Sequence, residues 1–60
     1  PAPVLPVVEL IDPMGTWAVD YAAQKWNVSL KDAAIAIGSK NLGKKIDKQD
    51  FIQLITGDQA

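Results

Sequence analysis

The chain opens on Pro-Ala-Pro-Val-Leu-Pro-Val-Val-Glu-Leu-Ile, an apolar run broken by prolines and carrying one charge. Pro1, Pro3 and Pro6 fix φ and remove amide donors, which excludes a helix or a central strand over residues 1–11. The segment is expected to be extended, close to polyproline II. Val4, Leu5, Val7, Val8, Leu10 and Ile11 make it more apolar than a flexible linker. Such an arm either folds back over its own core or lies on a partner.

From residue 12 the apolar positions recur with a helical period. Asp12-Pro13 reads as an N-cap followed by proline at the first helical position. Met14, Trp17, Ala18, Tyr21, Ala22 and Trp26 then form one stripe, which predicts a helix over about 13–26, weakened in its first turn by Gly15 and stopped at Asn27. Ser29-Leu-Lys-Asp32 has the pattern of a capping box. Leu30, Ala33, Ala34 and Ile37 follow on one face, so a second helix is expected over 30–37 with Gly38 as its C′ residue. The tract 33–37 also fits a buried strand, and the cap favours helix. Residues 38–46 read as a loop. Asp47 caps a third helix, Phe51, Leu54 and Ile55 turn inward, Ile46 staples to Phe51, and Gly57 ends it. The expected fold is all-α: a small three-helix domain over 12–60 behind an extended Pro-rich arm over 1–11.

Composition narrows the chemistry. With no cysteine and no histidine, the chain lacks thiolate chemistry, the commonest metal ligand and the usual near-neutral acid–base group. Net charge is −1, with no arginine, whereas a dedicated DNA-binding domain carries a basic surplus and arginine forks. No apolar run approaches the ~20 residues that span a bilayer. The first residues lack the basic region of a signal peptide. A cytoplasmic setting is expected, or a virion if the chain is phage-encoded.

Each candidate constellation has a plainer reading beside it. Gly38-Ser-Lys-Asn-Leu-Gly43-Lys44 has the spacing of a phosphate loop, but Lys45 stands where Ser or Thr must hold magnesium. Glycines turning a loop between helices account for it better. Pro1 invites the N-terminal-amine chemistry of small tautomerases, yet Pro3 and Pro6 follow and no arginine is present to bind a substrate carboxylate. Asp12, Asp32 and Asp47 already have capping roles, and Asp47 with Asp50 lies among lysines as solvated pairs. No catalytic, cofactor or metal residue is assigned. Trp17, Tyr21 and Trp26 read as core, with Trp26 at the helix end as a partly exposed interface anchor. The run Ser29–Gly38 also resembles the first helix and turn glycine of a helix–turn–helix, which makes a small nucleic-acid-binding domain the competing class.

Four of the six lysines, Lys40, Lys44, Lys45 and Lys48, fall between Gly38 and Gly57. Together with Val4, Leu5, Val7 and Val8 of the arm and Trp26, they form the expected partner-binding set. The expected function is non-enzymatic: a protein-interaction module, or a small structural subunit of a larger assembly such as a phage particle. Its partner is another protein or further copies of itself, with no membrane involved.

Two segments also carry a family likeness. Ala22-Ala-Gln-Lys-Trp-Asn-Val-Ser-Leu30 resembles the first helix and Gly-Val-Asp-Leu segment of the peripheral subunit-binding domains of 2-oxo acid dehydrogenase acyltransferases. Gly43-Lys-Lys-Ile-Asp-Lys-Gln-Asp-Phe51 resembles their closing Gly-Arg-Ile-x-Lys-x-Asp-Val motif. The likeness spans about residues 18–56, and the arm is similar to the Pro/Ala linkers of those proteins. It implies a compact two- or three-helix binding module. It places Lys44 and Lys45 near the family's arginine, Ile46 at its isoleucine and Asp50 as a buried, loop-bracing aspartate. The chain differs in having Asn27 for the usual glycine, extra residues over Ala33–Ile37, and no arginine.

Overall fold

The computed structural model describes residues 8–57. Val4, Leu5 and Val7 of the expected binding set lie outside the described residues. In chain order the elements are β1 (Leu10–Ile11), α1 (Thr16–Trp26), α2 (Leu30–Ser39), β2 (Ile46–Asp47) and α3 (Lys48–Gly57). Among the described residues the fold is all-α, with three helices and one two-stranded ladder. No helix among the described residues is long and apolar enough to cross a membrane.

Asp12-Pro13 makes a turn and not a helix start. Asp12 Oδ1 accepts from the Met14 N–H at 2.9 Å, and its carbonyl accepts from the Gly15 N–H at 2.9 Å. This local side-chain-to-backbone bonding competes with helix formation. The N-cap of α1 is Gly15, extended at φ −74° and ψ 168°, so the helix begins three residues later than expected. Pro13 is buried within the turn. At the other end Asn27 adopts the left-handed conformation (φ 56°, ψ 51°), and the N–H groups of Asn27 and Val28 both reach the Ala23 carbonyl.

The cap of α2 is as expected: Ser29 Oγ accepts from the Asp32 N–H at 3.0 Å. Ala33–Ile37 is helical, which settles the choice between helix and strand. The helix runs through Gly38 to Ser39, because the left-handed residue that closes it is Asn41 (φ 55°) and not Gly38. Leu30 is 56% exposed, not inward. A helical side chain covers the turn preceding it, and at the first helical position no such turn exists. Residues 40–47 separate α2 from α3 and include β2, whereas a helix–turn–helix joins its helices through three or four residues. That connection is therefore not a helix–turn–helix.

Asp47 Oδ1 accepts from the N–H groups of Gln49 (2.9 Å) and Asp50 (3.1 Å), so the expected cap of α3 is formed. Ile46 and Ile11 face each other in the antiparallel ladder and both pack on the core. The core comprises Ala18, Ala22, Ala23, Trp26, Ala33, Ile37, Phe51 and Ile55. Four of these eight are alanines, which lets α1 and α2 approach closely while the large side chains of α3 fill the remaining space. Trp17 and Tyr21 meet Phe51, and the Trp26 Nε1–H donates to the Ile55 carbonyl at 3.2 Å. Early residues of α1 thus meet the first half of α3, and the last residue of α1 meets its second half. The two helices run in broadly the same direction.

Two predictions follow the packing. Phe51→Ala costs roughly 3–5 kcal/mol, against a total stability on the order of 3–9 kcal/mol for a domain this size. Most of the cooperative thermal transition, read by circular dichroism, is expected to vanish. Ser29→Ala, by contrast, costs about 1 kcal/mol because it removes a helix cap. Asp12→Ala removes only a turn bond and costs less. Equal losses in urea melts would contradict this assignment of the two residues.

Candidate interaction surface

The four clustered lysines are not one patch. The Lys40 ammonium lies over the Trp26 ring, 5.9 Å from its centroid. The Lys48 ammonium lies 4.8 Å from the centroid of Trp17 and 3.8 Å from Glu9 Oε2. Trp17 and Trp26 are nine residues apart on α1, which separates them by roughly 13 Å along the axis. Lys44 and Lys45 stand exposed in the loop between, with no ion pair or ring contact among the described residues.

Lys48 has a structural task. Its backbone N–H donates to the Glu9 carbonyl at 2.7 Å, and its ammonium pairs with the same residue's carboxylate. Above Trp17 it also gains a cation–π contact, about 0.5–1 kcal/mol at an exposed site. One side chain thereby ties β1 to both α3 and α1. Its ammonium is thereby committed to contacts within the domain.

Trp26 is not the exposed anchor that its place at the helix end suggested. It is 9% exposed, and its indole N–H is spent on Ile55. The exposed tryptophan is Trp17, at 41%, stacked on Tyr21 with ring centroids 5.1 Å apart. The helical wheel carries the reason. At 100° per residue, Ala18, Ala22 and Trp26 span one sector, and Trp17 sits about 100° outside Ala18 on the flank. Treated as one stripe, the aromatics of α1 do not show that offset. Asp50 is exposed as well, so it does not serve as the buried, loop-bracing aspartate that the family likeness implied.

Large apolar side chains are exposed mainly near the start of the described chain. Val8 is 65% exposed, Leu10 60% and Met14 49%. With Trp17 these make four of the six exposed large hydrophobic residues among those described, all between positions 8 and 17; Leu30 and Ile35 on α2 are the other two. The described residues form no pocket and hold no group of acidic side chains arranged for a metal. No protein-family model, curated protein or solved structure matches the chain.

Lys48→Met keeps the apolar stem over Trp17 and removes both charge contacts. It is expected to cost about 1 kcal/mol and to speed hydrogen exchange at the residue-48 amide that bonds to Glu9. Lys44→Met serves as the control and should change neither quantity. Unchanged exchange at that amide in Lys48→Met would show that the ammonium does not hold β1.

Proposed function

We propose that the chain is a non-enzymatic protein-binding module, or a small structural subunit of a larger assembly, and that it binds through the apolar side chains at its N-terminal end. One observation carries the reading: Val8, Leu10, Met14 and Trp17 are exposed within ten residues of sequence while the core beneath them is closed. Single exposed apolar residues need no explanation, but a concentration of them marks a contact surface. Trp17 is the natural anchor, since a rigid, stacked indole gives large contact area at little entropic cost. Lys44 and Lys45 supply charge toward an acidic partner, acting on rate and specificity more than on affinity.

The test is site-specific photo-crosslinking in the cells that make the chain. A benzophenone amino acid is placed at position 17 in one variant and at position 35 in another. Ile35 is 61% exposed on α2, outside the segment 8–17. Discrete adducts at position 17 and none at position 35 are expected. Absence of adducts at 17, or equal labelling at both positions, would remove the proposal.

A further inference from the structure

Among the described residues, the strand β1 is paired along one edge and open along the other. Leu10 faces Asp47, Ile11 faces Ile46, and the Lys48 N–H reaches the Glu9 carbonyl. In an antiparallel ladder this parity makes Ile11 and Ile46 the hydrogen-bonded pair and Leu10 and Asp47 the non-hydrogen-bonded pair. The N–H and C=O of Leu10 therefore point away from β2, and among the described residues they meet no partner. The backbone groups of Val8 likewise have none among those residues. The side chains of Val8 and Leu10 are both exposed. An open edge is usually guarded by lysine, a bulge or an unpaired charge. Here the only charge over residues 8–11, Glu9, is paired with Lys48.

We propose that β1 pairs antiparallel with β1 of a second copy of this chain, with Leu10 opposite Leu10 across a two-fold axis. This rests on the protein-binding reading above and names the occupant of its surface. Three registers centred on Val8 and Leu10 can be compared. If Val8 lay opposite Val8, Pro6 would face Leu10 and have no N–H to give. If Val8 lay opposite Leu10, the two Glu9 carboxylates would meet directly, and like charges opposite each other destabilise a sheet. With Leu10 opposite Leu10, Glu9 faces Ile11 and Val8 faces Asp12, so neither fault arises.

A second copy suits this edge better than a foreign strand. The segment lies between Pro6 and Pro13, which limits pairing to a few residues, and it is self-complementary within them. Two strands alone are marginal, and joining two ladders gives four. The contact is isologous, so it closes at a dimer. The outer edges then belong to β2, which leads directly into α3.

Sedimentation equilibrium of the purified full chain over a concentration series tests the association. A monomer–dimer equilibrium is expected. Leu10→Lys sets two ammonium groups opposite each other at the axis and raises the dissociation constant about tenfold or more, with 1.4 kcal/mol per decade. Ile35→Lys, exposed on α2 and outside residues 8–17, leaves it unchanged, and far-UV circular dichroism confirms that both variants keep their helices. The register has its own readout, because the chain contains no cysteine. Leu10→Cys copies meet with Cα atoms about 5.5 Å apart, within disulfide reach, and are expected to oxidise to dimer several-fold faster than Glu9→Cys copies. A monomer at every concentration, a dimer indifferent to Leu10→Lys, or faster linkage through Glu9→Cys would each overturn the proposal. If the chain stays monomeric yet position 17 crosslinks to another protein, the binding reading stands and only this pairing fails.

Discussion

Phe51 is fully buried, and the rings of Trp17 and Tyr21 tilt against it at centroid distances of 6.0 and 6.4 Å, so it fixes how α3 approaches α1. Much else depends on that approach. Asp47 caps α3 and so sets where the helix begins, which in turn decides that residue 51 points inward. The residue just after the cap, Lys48, then falls beside Trp17, and its amide falls beside Glu9. The ladder between β1 and β2 follows from the same start point. A shift of one residue would rotate α3 by about 100° and break all of these contacts together.

The remaining core is built around that contact with small side chains. Ala18, Ala22 and Ala23 of α1 and Ala33 of α2 are buried, which brings two helix backbones close without large groups between them. Alanine burial yields little hydrophobic free energy but costs no side-chain entropy. The larger contributions come from Phe51, Ile37, Ile55 and Trp26. Trp26 adds direction to its area, because the hydrogen bond to the Ile55 carbonyl specifies where the far end of α3 must lie. Phe51 and Trp26 thus hold α3 at two points along its length. No polar or charged residue among those described is buried, so the core carries no desolvated charge to offset.

Much of this architecture is legible in the sequence wherever a residue acts through local chemistry. Ser29 and Asp47 are caps because their side-chain oxygens sit within reach of the next turn's amides, and both geometries follow from spacing alone. Signals with two local solutions do not say which one the chain takes. Asp12-Pro13 suits a helix start or a turn, and the extended Gly15 decides for the turn. Gly38 and Asn41 both tolerate a left-handed conformation, and Asn41 takes it. The ladder was invisible, since two residues per strand are too few to show a period of two. The candidate surface is the least legible part of the molecule. Exposure of Trp17 and burial of Trp26 depend on where α3 lies, which no pattern within α1 reports.

The same geometry redistributes the charge that the sequence concentrates. Four lysines in one stretch suggest a single basic face, yet two of them sit over indole rings at separate points along α1. An ammonium over a ring keeps its charge but loses freedom to reorient, so a partner at Lys48 must either accept that placement or disturb the tie to Glu9. Breaking the tie would loosen β1, the segment that displays Leu10. On the proposed pairing, a contact that drew on Lys48 would therefore act against one along the open edge of β1. Lys44 and Lys45 have no such internal commitment among the described residues. Their charge stands exposed to solvent and takes no part in the tie between Lys48 and Glu9.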